Sequence, residues 1–361
     1  MQDPTAWLRL NSAEIVPARQ RALLERFGAP EAILAASQQE LLEVERISRR
    51  DCEKLAAARS YDITGDLEKL DSLGVRLLPA EAPEYPERLA ETEDAPVLLF
   101  VRGELSPRDE LAVAIVGTRG CSNYGTIQAE KLAGDLARRG FTVVSGGAHG
   151  IDAAAHHGAL EAGGRTIAVS ACGLDVDYPR GQEELRERIV ACGAIIAEVP
   201  FGTAPEPKRF PVRNRIVSGL SLGVVVIEAP AKSGALITAN LALDQGREVF
   251  GVPGDVGNPL HRGTHRLIRD GAHLVETVDD VIDGLGILPE AVPERAAASA
   301  PPPDLAPEEQ RIVDALSFEP RHVDDVIRET GLLPAKVTAT LMMLEMRSLV
   351  RRFPGNMFVR L

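Results

Sequence analysis

The residues best placed to do chemistry lie in Pro207-Lys208-Arg209-Phe210-Pro211-Val212-Arg213-Asn214-Arg215, which carries four cations and one aromatic ring in a chain of net charge −13. No carboxylate follows until Glu228. An acidic protein gains nothing generic by concentrating positive charge in one acid-free stretch, so the pattern points to a local polyanion site, with Phe210 available to stack on a base. The competing interpretation is structural, with arginines paired to carboxylates elsewhere and Phe210 in the core. The segment alone does not decide between them.

Three further loops bear on the choice. Gly117-Thr118-Arg119 leaves the apolar run Ala112 to Val116, Ser145-Gly146-Gly147-Ala148-His149-Gly150-Ile151-Asp152 leaves Phe141 to Val144, and Lys232-Ser233-Gly234 follows Val224 to Ile227. In an open α/β sheet, ligands bind beyond the carboxyl ends of the strands, where glycines allow close backbone approach and helix N-termini attract anions. All three loops and the 207–215 segment are therefore expected on one rim, and Asp152 is read as capping its helix and holding its loop. Neither a G-x-G-x-x-G fingerprint nor a P-loop occurs, so these are not dinucleotide or nucleoside triphosphate signatures.

The elements that must position these loops follow from periodicity. Residues 1–65 read as a small helical bundle, with Gly28 and Pro30 as stop and start signals. Apolar, β-branched runs then begin at Val97, Ala112, Phe141, Thr166, Ala194, Val224 and Glu248, separated by amphipathic stretches such as Gln128 to Arg139. This pattern predicts a Rossmann-like, doubly wound, mostly parallel sheet over 76–287. The Pro- and Ala-rich stretch 288–307 reads as a linker. Helix, helix, turn, helix and hairpin signals over 308–361, with Pro334 at a helix start and Pro354-Gly355-Asn356 at a reversal, predict a winged helix.

Other classes are disfavoured. Cys52, Cys121, Cys172 and Cys192 lie far apart with no C-x-x-C pair, and the adjacent His156 and His157 do not suit chelation, so no metal site, disulfide framework or cofactor is expected. With no leader-like start and no apolar run of about 18 residues, the chain is expected to be cytoplasmic, without membrane insertion.

With the four segments assembled, the chain resembles the DNA-processing protein A (DprA or Smf) family. The resemblance rests on Ile115-Val-Gly-Thr-Arg119 with Tyr124-Gly125, Ser145 to Asp152, Gly173-Leu-Asp-Val-Asp-Tyr-Pro179, Phe210-Pro-Val-Arg-Asn-Arg-Ile216 and its continuation to Ser221, Ser233 to Ala239, and Val252-Pro-Gly254. It implies a homodimeric recombination mediator, not a catalyst, that binds single-stranded DNA, and duplex more weakly, and delivers the strand to the RecA recombinase in natural transformation. It further implies a phosphate contact at Arg119, a strand-binding segment of Lys208, Arg209, Phe210, Arg213, Asn214 and Arg215, and a contribution from Lys232, Ser233 and Gly234.

Two segments depart from the pattern. The front domain looks like a helix-hairpin-helix, but Glu45-Arg46 stands where a phosphate-binding hairpin wants glycine, so the tight turn is not expected there. The third winged-helix helix offers only Lys336, Thr338 and Thr340 as base readers and carries Met342, Met343 and Met346, which favours protein contact over duplex reading. Two rival functions stand beside the resemblance. One is a nucleotide-acting enzyme of the phosphoribohydrolase type, using Glu198, Glu228, Asp175 or Asp177, although the third loop itself has no acid. The other is a winged-helix transcription factor preferring one duplex sequence.

Overall fold

The computed structural model describes residues 4–287, 305–318, 320–347 and 349–360, which divide into two compact units. Most of the linker expected at 288–307 lies outside the described residues.

The first unit is built on a sheet of nine strands among the described residues. They are β1 (Val75–Pro79), β2 (Leu98–Gly103), β3 (Ala112–Val116), β4 (Thr142–Ser145), β5 (Thr166–Ser170), β6 (Ala194–Ala197), β7 (Gly223–Val226), β8 (Glu248–Gly251) and β9 (His273–Leu274). The spatial order is β1-β2-β6-β5-β4-β3-β7-β8-β9. Every pair from β6 to β9 is parallel, because a helical crossover returns the chain to the same end each time. Strands covered on both faces cannot alternate in polarity; β3 reads Ala-Val-Ala-Ile-Val and is buried throughout.

The seven expected runs are all strands, but β2 pairs antiparallel with both β1 and β6. The apolar pattern does not reveal β1 or β9. Strand β1 is an edge interrupted by Arg76 and ending in Pro79, and β9 has two exposed residues. From β3 the chain builds outward through β4, β5 and β6, then returns to lay β7 and β8 on the other side of β3. This reversal between β3 and β7 opens a crevice beyond their carboxyl ends.

Six helices precede the sheet: Pro4–Ser12, Pro17–Phe27, Pro30–Ala35, Gln38–Leu42, Arg49–Arg59 and Thr64–Leu73. Their limits are local. Gly28 closes the second helix at φ 79°, and reciprocal capping boxes at Ser37–Glu40 and Ser48–Asp51 open the fourth and fifth. Their apolar faces share one core with a face of the sheet, Trp7, Leu10, Leu23 and Leu55 clustering with Leu98, Phe100, Ile195 and Phe201. The turn thought to be denied by the missing glycine is made, with Arg46 itself at φ 67°. A non-glycine residue in this left-handed region costs about 1 kcal/mol, an amount the surrounding packing tolerates.

The second unit contains the winged helix, with helices Pro307–Asp314, Val323–Thr330 and Pro334–Met346. Strands β10 (Arg321–His322), β11 (Val350–Phe353) and β12 (Met357–Arg360) form its sheet in the order β10-β12-β11. Ile312, Val326, Leu341, Leu344, Val350 and Phe358 make its core. Gly355 and Asn356 take the positive φ values that the reversal between β11 and β12 needs. Among the described residues no helix is long and apolar enough to cross a membrane, and Cys52, Cys121, Cys172 and Cys192 are free thiols.

Candidate functional site

At the reversal between β3 and β7 lies a cleft of about 510 Å³. One wall is Gly117, Thr118 and Arg119 after β3, another is Lys232, Ser233 and Gly234 after β7, and Phe210, Arg213 and Asn214 come from the helix Arg209–Gly219. Gly146, Ala148 and Asp152 close the floor.

The β3 loop is held in place by backbone. The Thr118 amide donates to the Glu228 carbonyl at 2.8 Å, and the Ile151 amide donates to the Thr118 carbonyl at 3.3 Å. Gly150, at φ 79°, brings its Cα so close that a Cβ would stand 2.5 Å from the carbonyl oxygens of both Thr118 and Arg119. Gly150→Ala should therefore displace the Arg119 loop and cost about 2 kcal/mol of stability, from overpacking together with the unfavourable φ. Its melting temperature should fall by several degrees, whereas Gly163→Ala, also at positive φ but with open space around it, should lose less.

Arg119 is exposed, and its guanidinium carbon lies 4.4 Å from the centre of the Phe210 ring, a cation–π geometry. Tyr178 packs on the same ring, with centroids 5.4 Å apart. Across the cleft, Ser233 caps the helix Gly234–Asp244 by accepting from the Ala235 amide at 3.3 Å. That helix directs its free N–H groups and positive dipole end at the opening, beside exposed Lys232. No ion pair to Arg119 or Lys232 occurs among the described residues.

Other expected contacts are placed differently. Ser145 is buried and donates to the Ile115 carbonyl at 2.6 Å, so its hydroxyl ties β4 to β3 and does not line the cleft. Arg213 is buried in the cleft floor, where its guanidinium donates to the Gly146 and Val169 carbonyls and its Nε donates to Asn214 Oδ1 at 3.2 Å. Burial disfavours its charge. Asp152 does not cap the helix Ile151–Glu161, whose N-cap is Gly150; it holds the loop by accepting from the Ala148 amide at 3.2 Å. Burial raises its pKa, opposed by the neighbouring Arg213 charge.

The expected single basic surface over 208–215 is divided. Arg215, its side chain 6% exposed, donates from Nη2 to both Glu198 oxygens at 2.5 and 2.6 Å and approaches Asp94 at 3.4 Å. It is a structural ion pair outside the cleft. Lys208 and Arg209 pair with Glu206 at 2.9 and 3.6 Å, and Arg209 also reaches Glu14 at 3.4 Å. Hydrogen bonding and charge from Lys208 hold the Glu206 carboxyl below its usual range. Lys208 and Arg209 line a second groove of about 350 Å³ with Glu14 and Glu198. The signal was one residue upstream of the acid-free run, since Glu206 precedes Pro207. Sequence reasoning also missed Pro205, Pro211, Pro230, Tyr178 and Thr238 as lining residues; Tyr178 was visible only as part of the Asp-Tyr-Pro stretch.

This arrangement can hold anions at Arg119 and at Lys232 beside a helix N-terminus, with the Phe210 ring, carrying Arg119 over it and Tyr178 against it, in the same lining. Residues 76–286 match the family described as DNA recombination-mediator protein A, and 296–356 match the DprA winged helix domain. The chain is 36% identical to Protein Smf of Escherichia coli, over 100% of this chain and 96% of that protein. The solved structure of DNA processing protein A from Streptococcus pneumoniae superposes with a TM-score of 0.69 at 33% identity, covering 78% of this chain and 98% of that one. DNA processing protein A from Helicobacter pylori, described for its single-stranded DNA binding mode, superposes with a TM-score of 0.53 at 32% identity, covering 58% and 95%.

Proposed function

Because the chain belongs to the DNA recombination-mediator protein A family, we propose that the cleft between β3 and β7 binds single-stranded DNA without reading its sequence. One phosphate sits at Arg119, another at Lys232 and the N-terminus of the helix Gly234–Asp244, and a base packs at the Phe210 ring. The observation that carries this reading is the Arg119–Phe210 pair, a cation and a ring 4.4 Å apart in the lining of a cleft, with no carboxylate among the described residues paired to the cation. Charge at phosphates and a π-face at bases are sequence-tolerant by nature. The Helicobacter pylori relative, itself described for binding single strands, supports the same reading. Handing the strand to the RecA recombinase in transformation is the role that the family resemblance adds.

The rival nucleotide-acting enzyme needs a carboxylate beside the ribose. Glu198, Glu228, Asp175 and Asp177 do not line the cleft, and Glu198 is committed to Arg215 while Asp175 is committed to Lys69 and the Gly202 amide. Asp152, which does line it, is buried and engaged with its own loop.

A salt titration of oligothymidine binding tests the proposal. With Arg119 and Lys232 each neutralising one phosphate, log K should fall against log salt with a slope of about −1.4, and Lys232→Ala should reduce the slope by about 0.7. Oligoadenine should bind within about tenfold of oligothymidine, and random duplex more weakly. A slope near zero, a preference for one duplex sequence, or release of free base from a nucleoside monophosphate would each overturn the reading.

A further inference from the structure

The helix Pro334–Met346 of the winged helix buries Val337, Leu341 and Leu344. At 3.6 residues per turn its opposite side is Ala335, Ala339, Met342 and Met346, all exposed. Met342 and Met346 are 54% and 88% exposed, which is a large uncovered apolar surface for one short helix. A helix that reads a duplex would carry arginine, asparagine or glutamine there, and none occurs within 334–346. Its one cation, Lys336, is engaged by Glu308 at 2.6 Å.

The spacing of the exposed set is four, three, four, which is the seam of a two-helix contact. The sizes along that seam are self-complementary in only one orientation. In an antiparallel pair with its two-fold axis between residues 340 and 341, Ala335 faces Met346 of the second copy and Ala339 faces Met342 of the second copy, so every small side chain meets a large one. A parallel pair would set alanine against alanine, leaving a gap, and crowd methionine against methionine. Two-fold pairing also uses one patch on both chains, as closed homo-oligomers do.

We propose that this face docks on the same face of a second copy of this chain as an antiparallel helix pair. Met343, 55% exposed, flanks the seam and widens the apolar cover. A contact about three turns long is small against the roughly 1,200 Å² of a stable interface, so it acts chiefly between chains that are already close together.

Full-length chains with Cys121→Ser and Cys192→Ser, the two cysteines that are not buried, provide the background for a crosslinking test without nucleic acid, which keeps it independent of the DNA-binding reading. Chains bearing Ala339→Cys are mixed with chains bearing Met342→Cys and treated with a short bismaleimide; Ala335→Cys with Met346→Cys is the second pair. Both pairs should crosslink about tenfold more than Met346→Cys with itself, and adding Met342→Glu to the Ala335→Cys and Met346→Cys chains should abolish the excess. Thermal melting of each variant checks that the exposed substitutions leave the fold intact. Equal yields in all combinations, preferential Met346→Cys self-crosslinking, or no effect of Met342→Glu would overturn the proposal.

Discussion

Arg119→Ala, Phe210→Ala and Lys232→Ala combined in one chain should weaken oligothymidine binding about a thousandfold, while Lys208→Ala should change it by less than about threefold. The triple loss follows from magnitudes. Stacking one base on an aromatic ring contributes ~1–3 kcal/mol, and a hydrogen bond to a charged group ~1.5–3 kcal/mol, so three such contacts amount to at least about 4 kcal/mol. Lys208 is exposed and already paired with Glu206, so its removal exchanges one surface ion pair for water. The single variants should not add. Arg119 lies over the Phe210 ring, so removing either disturbs the other, and Arg119→Ala with Phe210→Ala should lose less than the sum of the two. Fluorescence anisotropy at fixed salt measures all of these; a triple variant that binds within tenfold of the parent would place the strand somewhere other than this cleft.

Arg215→Ala should do the opposite, destabilising the fold while leaving the cleft competent. It leaves the Glu198 carboxylate, and Asp94 beyond it, without the cation that pairs them. Only Arg215 is buried, Glu198 being partly exposed, so breaking the pair from one side costs about 3 kcal/mol, the low end for a buried pair, which at about 2–4 °C per kcal/mol for a unit of this size is a fall in melting temperature of roughly 10 °C. Arg215→Lys should not restore it, because an ammonium cannot present the forked donors that engage Glu198 and reach toward Asp94 together. Measured well below its melting temperature, Arg215→Ala should bind oligothymidine within a few-fold of the parent. Lost affinity in a chain that melts normally would return Arg215 to the DNA-contacting surface.

Read from residues alone, the strands were legible wherever both faces are buried, because the middle of such a strand must be apolar, as it is in β3 to β8 even where Thr142, Ser145, Thr166, Ser170 or Glu248 stands at an end. Edge strands escape that rule: β1 carries Arg76 and Pro79, and β9 is too short to have a pattern. One helix break of the front segment was legible because Gly28 and Pro30 act within a few residues of themselves, as the stop of the second helix and the start of the third. The turn at Arg46 was not, since the glycine preference there is a tendency of about 1 kcal/mol that the packed helices on either side outweigh.

The chain's amino acids by themselves determined a doubly wound sheet, the three loops at its strand ends, and a concentration of arginine and lysine near a phenylalanine. Which of those cations face the cleft was decided by tertiary structure. Arg119 and Lys232 are brought to one opening only because β3 and β7 are neighbours, and Arg215 is turned away only because Glu198 and Asp94 approach from other parts of the chain. A charge's role depends on the nearest opposite charge in space, and at these separations along the chain that distance is a property of the fold.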